Sequence, residues 1–181
     1  DSNCIDSIAT NKFSSIAFIL LLLKLFTISL ISKDNSIWLD IKKYSKLNEL
    51  LEISIVYNNE SVYSDNKIIG GNITDRALLS FVNSYNKNVK VINKIPFNSK
   101  DKYSLVTIKD KESVTFIKGA PELLLSKCTK CIDNLGKQKF FSSKNAIIEK
   151  LNNATKNGLR VLALVQSKNY HITKSLDNLT F

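Results

Sequence analysis

The sequence predicts an α+β domain: a twisted antiparallel sheet flanked by helices, with an extra N-terminal apolar helix. Three observations carry this expectation. Val89 to Phe97, Tyr103 to Ile108 and Ser113 to Ile117 are rich in β-branched and aromatic residues, and only short polar turns separate them, so they read as consecutive hairpins. Stretches beginning at Lys46, Thr74, Pro121 and Asn145 place apolar residues at helical spacing. The chain has 181 residues with 44% hydrophobic content, which supports a real core and excludes a disordered polymer.

The first fifteen residues are polar and short of structure signals. Ile16 to Ile31 is apolar but interrupted by Lys24, and it falls short of the roughly 20 residues a spanning helix needs. It also lacks a basic leader and a small-residue cleavage site. The run reads as a buried or oligomer-forming helix, with a membrane anchor or an unstructured lead-in as the alternatives. Residues 38–45, with Trp38 and Leu39, are strand-like. Residues 1–45 therefore form a lead-in, 46–168 the domain and 169–181 a tail.

Lys46 to Tyr57 puts Leu47, Leu50, Leu51, Ile53 and Val56 on a helical face. Asn58-Asn59 turns the chain, Ser61 to Lys67 is polar, and Gly70-Gly71 reads as a flexible break. Thr74 is a fitting N-cap with Asp75 in the first turn, and Ala77, Leu78, Phe81 and Val82 give the buried stripe of a helix ending near Tyr85. Pro121 to Lys127 opens with a proline whose missing N–H costs nothing there, and Glu122 suits the positive end of the dipole. Asp133 to Lys139 is a turn around Gly136. Asn145 to Asn157 is a helix with Ile147, Ile148, Leu151 and Ala154 at helical spacing, closed by Gly158. Leu159 to Val165 is an apolar strand opened by Arg160, and His171 sits in the polar tail.

A formal charge of +10 makes polyanions plausible partners: nucleic acid, an anionic membrane surface or a nucleotide triphosphate. The lysines are scattered, however, and Arg76 and Arg160 are the only arginines, whereas readers of base edges rely on arginine. That weighs against a nucleic-acid partner. Three cysteines, an odd count, argue against a disulfide framework. Cys128-Thr129-Lys130-Cys131 has C-x-x-C spacing, but zinc would need two more ligands and His171 is the only histidine. Cys128 reads instead as a small packing residue, and no metal site is expected. Sequons at Asn59, Asn72, Asn153 and Asn178 stay unused in a cytosolic chain.

Lys118-Gly119-Ala120-Pro121-Glu122 joins a strand end carrying an ammonium, a residue without a Cβ and a helix start, which together make a reasonable anion site. It resembles the KGAPE signature of the nucleotide-binding domain of P-type cation-transporting ATPases. Three further stretches resemble the same domain in the family's order. Gly71-Asn72-Ile73-Thr74-Asp75-Arg76-Ala77-Leu78-Leu79 is similar to its G-x-P-T-E-x-A-L-L helix start, with an aspartate for the usual glutamate. Pro96-Phe97-Asn98-Ser99-Lys100-Asp101-Lys102-Tyr103 resembles P-F-N-S-x-x-K-Y, and Gly158 to Leu164 resembles G-L-R-V-L-A-L.

The resemblance implies ATP as ligand, with Mg2+ in the intact family. Adenine would stack on Phe97 in a pocket lined by Lys118 and Gly119, with Asp75 near the adenine and the phosphates near Lys102 and Arg160. It implies the phosphorylation and transmembrane domains of a cation pump as partners, at the cytoplasmic face of a membrane. Cys4-Ile5-Asp6 is similar to the family's C-x-D-K-T-G-T phosphorylation loop, but Ser7 and Ala9 replace its lysine and glycine. Those neighbours orient and neutralise the phosphoryl group, so Asp6 is not assigned a catalytic role. The chain thus resembles a nucleotide-binding fragment that holds ATP without hydrolysing it. The rivals are a nucleotide-sensing or membrane-tethered regulatory module anchored by residues 16–31, and a basic nucleic-acid-binding protein.

Overall fold

The computed structural model describes residues 45–65, 67–82, 88–133, 135–142, 144–156, 160–168, 176 and 179–181, apart from the side chains of residues 146 and 150. The apolar run Ile16 to Ile31, the strand expected around Trp38, Asp6, Tyr85, Gly158 and His171 lie outside the described residues.

A helix opens the described chain because Ser45 to Tyr57 contains no glycine or proline and carries apolar residues on more than one side. This α1 (Ser45–Tyr57) buries Leu47, Leu51, Ile53 and Ile55. A hairpin of β1 (Ser61–Ser64) and β2 (Lys67–Gly70) follows, then α2 (Ile73–Phe81). The three expected hairpin strands are β3 (Lys90–Asn98), β4 (Tyr103–Lys109) and β5 (Ser113–Gly119). Next come α3 (Pro121–Lys127), β6 (Cys128–Ile132), β7 (Gln138–Phe140), α4 (Lys144–Lys156), β8 (Ala163–Ser167) and β9 (Leu179–Thr180).

Among the described residues, seven strands form one sheet in the order β3-β4-β5-β8-β9-β6-β7, with β1 and β2 as a separate pair. Only the β6–β9 pairing is parallel. The α+β class with a mostly antiparallel sheet is therefore what the chain adopts. Among the described residues, no helix is long and apolar enough to cross a membrane.

Register alternation sorts the sheet into two faces. Ser104 pairs with Lys118, and Lys118 with Leu164, so these three share one face. There Leu164 packs with Leu51 and Ile55 of α1, with Leu78 of α2 and with Val82 just past its end. Val106, Ile108 and Phe116 join Ile53 on the same side. Leu105, Ile117 and Val165 point the other way, onto Leu124 and Leu125 of α3 and Ile147 and Leu151 of α4. Each buried side chain of this kind contributes roughly 1.5–3 kcal/mol.

Several local readings of the sequence are corrected. The stretch after Asn59, read only as polar, forms a hairpin: Ser61 to Ser64 pairs with Lys67 to Gly70, and the Tyr63 hydroxyl lies within hydrogen-bond distance of the Leu79 and Val82 carbonyls at the end of α2. Gly71 is a packed corner rather than a break, since a Cβ there would lie 2.2 Å from Ser61 Oγ and 2.8 Å from its backbone nitrogen. The N-cap of α2 is Asn72, not Thr74. The strand opened by Arg160 begins later, at Ala163. Cys128 to Ile132 forms a strand that its mixed composition did not announce. Cys128 itself is the packing residue expected: its buried thiol donates to the Leu124 carbonyl, and burial pushes that thiol up to about 12.

The largest surprise is the end of the chain. Leu179-Thr180, expected in a polar tail, lies between β8 and β6 in the sheet. Leu179 is fully buried, and the Phe181 ring stacks on Phe141 with centroids 5.3 Å apart. Since Leu179 fills a closed core, Leu179→Ala is expected to cost about 2–5 kcal/mol. Urea unfolding of the variant against the parent chain measures it, and a shift below about 1 kcal/mol would contradict this core position.

Candidate functional site

A cavity of about 460 Å³ opens where the first turn of α2 meets the ends of β3 and β5 and the chain entering β8. That volume sits within the roughly 300–1,000 Å³ of small-molecule sites. Its lining includes Asn72, Thr74, Asp75, Arg76, Phe97, Lys118, Gly119, Arg160 and Leu162. Five of the six residues singled out from the sequence thus meet at one place: Asp75, Phe97, Lys118, Gly119 and Arg160. Lys102 is not among the lining residues.

Lys118 forms the floor in an unexpected way. The residue is only 6% exposed, and its ammonium is already held by two partners. It donates to Asp75 Oδ1 at 2.5 Å and to the Asn58 carbonyl at 2.8 Å. Burial pushes Lys118 below the usual lysine range, while the hydrogen bond and charge of Asp75 pull it back up. A lone flexible cation is therefore the wrong picture of this residue. Together, Lys118 and Asp75 form a neutral, rigid wall.

Local chemistry fixes Asp75 as tightly. Asn72 accepts from the Asp75 backbone N–H at 2.9 Å and donates its own amide to Asp75 Oδ2 at 3.2 Å, a reciprocal cap of the α2 start. The Asp75 carbonyl accepts from Asn59 Nδ2 at 2.9 Å. Asn58 Nδ2 donates to the Ser104 and Phe116 carbonyls, which ties the same turn to β4 and β5. The Asn59 carbonyl takes the Lys94 ammonium at 2.6 Å, and that lysine also pairs with Glu60. Asn58 and Asn59 are thus buried supports of the site, although sequence alone reads them as a plain turn. Asn59 is also an inaccessible sequon, since its amide is spent inside the fold.

Gly119 is required by crowding. A Cβ there would sit 2.6 Å from the Lys102 carbonyl oxygen and 2.7 Å from Tyr103 Cβ. Only a bare backbone lets β5 approach the β3–β4 turn this closely, and the Ala120 N–H then donates to that same Lys102 carbonyl. The turn is itself pinned, because Lys102 N–H donates to the Asn98 carbonyl and Lys102 adopts a left-handed φ of 59°. Its side chain is exposed. Phe97, immediately before the turn, leaves 50% of its surface uncovered beside the cavity. A half-exposed aromatic face on a fixed backbone is a ready stacking platform.

Among the described residues of the lining the single carboxylate, Asp75, is taken up by Lys118 and Asn72. No group of three or more His, Cys, Asp or Glu among the described residues could hold a metal ion.

Removing one member of the buried pair leaves its partner uncompensated. Asp75→Asn is expected to destabilise the fold by about 3–5 kcal/mol at neutral pH. The loss should shrink as pH rises through the lowered Lys118 pKa, because deprotonation relieves the buried charge. Unfolding free energies measured from neutral to alkaline pH check this, and a pH-independent difference would refute the stranded-charge explanation.

Comparison with known proteins adds one finding. Residues 46–179 match the family described as P-type ATPase, cytoplasmic domain N. No curated protein matches the chain. The matched span covers the paired sheet, the cavity and the Lys118–Asp75 pair, and the chain belongs to the family of P-type ATPase cytoplasmic N domains.

Proposed function

We propose that this chain binds ATP in the cavity between α2 and the ends of β3 and β5. The observation that carries the reading is the meeting of a half-exposed Phe97 with Lys118, Gly119 and Arg160 around one opening. Adenine stacks on Phe97 and reaches down to the Lys118–Asp75 wall. Arg160 takes the phosphates, with Lys102 as a secondary cation on the neighbouring turn. The sequence contains no G-x-x-x-x-G-K-[ST] loop to cradle phosphates in backbone N–H groups, so stacking and separate cations carry the affinity. Binding is accordingly weak and depends little on Mg2+.

In the same reading the domain serves an ATP-driven cation pump at the cytoplasmic face of a membrane, and phosphorylation and transmembrane domains are its partners. Delivery of a phosphoryl group needs an acceptor, and among the described residues the one carboxylate of the lining is locked in the Lys118 pair.

Two outcomes follow. Phe97→Ala, at a half-exposed position, leaves the fold intact and weakens ATP binding by about 1–3 kcal/mol, or about 5- to 150-fold in Kd. Calorimetric titration, with amide shifts followed at residues 97–104 and 117–122, measures this, and an unchanged Kd rejects the stacking platform. The chain alone is also expected to release no phosphate from ATP. An acid-stable phosphoenzyme after incubation with labelled ATP would show a working acceptor and overturn that expectation.

A further inference from the structure

Among 26 basic residues the chain has two arginines, and both line this one cavity. The family resemblance points to Arg160 alone. Arg76 follows Asp75 in the first turn of α2, where Asn72 fixes its backbone by accepting the Arg76 N–H at 3.0 Å. Its Cα is therefore as well placed as that of Asp75, while its side chain is exposed.

Charge bookkeeping around the cavity shows what Arg76 faces. Lys118 and Asp75 cancel each other at 2.5 Å. Lys94, Lys139 and Lys168 elsewhere pair with Glu60, Asp133 and Glu112. Among the described residues, neither Arg76 nor Arg160 has a side-chain hydrogen bond or ion pair. Two unpaired arginines therefore line a concavity whose other described charges, Lys118 and Asp75, sum to zero. A guanidinium presents donors in a planar fork that matches a phosphate edge, so each arginine suits one phosphate group.

We infer that Arg76 is a second phosphate-binding residue, and that with Arg160 it selects nucleotides carrying two or more linked phosphates. The inference rests on the nucleotide reading above and deepens it. Phe97 supplies affinity for the base, which every adenine nucleotide shares. The two arginines supply the part that depends on phosphate number, because a monophosphate satisfies one fork and leaves the other solvated. ATP and ADP then bind alike, AMP binds more weakly, and adenosine is held by stacking alone.

The test uses the full chain and four ligands: ATP, ADP, AMP and adenosine, each titrated by calorimetry at low and at physiological ionic strength. Arg76→Gln is expected to weaken ATP and ADP by at least about fivefold and to flatten their salt dependence. Adenosine affinity should not change. Arg76→Lys, which keeps the charge and loses the fork, should recover part of the lost ATP affinity. An ATP Kd indifferent to Arg76→Gln sinks the inference, as does an equal loss for adenosine, which would place Arg76 on the base. If Phe97→Ala abolishes ATP binding while Arg76→Gln does nothing, the phosphate role alone is wrong. If the parent chain binds none of the four ligands, the nucleotide reading fails and this inference falls with it.

Discussion

One buried ion pair joins parts of the chain that are far apart in sequence. Lys118 ends β5, Asp75 lies in the first turn of α2, and the Asn58 carbonyl that shares the ammonium closes α1. Burying both charges is costly, and pairs of this kind persist only where geometry and additional hydrogen bonds compensate. Here Asn72 supplies such a bond to the Asp75 carboxylate, while Asn59 holds the backbone carbonyl of the same residue. The pair thus sets how α1 and α2 sit on the sheet, and the cavity is the space left above it.

This arrangement changes what the lysine of the Lys118-Gly119-Ala120-Pro121-Glu122 stretch means chemically. A lysine at a strand end next to glycine invites reading as a free cation for phosphate. In the fold it is neutralised, desolvated and immobile, which suits it to shaping a pocket floor rather than to capturing charge. The cations of the lining that have no side-chain partner among the described residues are instead the two arginines, Arg76 and Arg160. Gly119 contributes through the absence of a side chain, because it lets the β3–β4 turn close against β5 and carries Phe97 to the cavity edge.

Much of this was legible in the sequence, and what was not has a physical explanation. The hairpin strands and the helices α1, α3 and α4 follow from periodicity and end signals that act over a few residues. Phe97, Lys118 and Gly119 stood out because their motifs combine residue types with a fixed spacing. Asn58 and Asn59 did not, since two asparagines carry the same local signal in an exposed turn as in a buried hub; only the tertiary partners tell them apart. The N-cap was misplaced by two residues because Asn72 and Thr74 are both good caps, and the choice was made by the packed corner at Gly71. Lys102 fits its motif, yet the left-handed turn leaves its side chain outside the lining. The short strands β6, β7 and β9 have little propensity of their own and exist through pairing.

The position of β9 has a bearing on assembly. Leu179-Thr180 bridges β8 to β6, so the β3-β4-β5-β8 part of the sheet joins the β6-β7 hairpin only through residues that leave the ribosome last among those described. A contact between Cys128 and Leu179 closes a long loop, and such closures are slow. Until it forms, β6 and β8 each present an open edge to other nascent chains. Seating this strand therefore covers both edges at once and joins the two parts of the sheet.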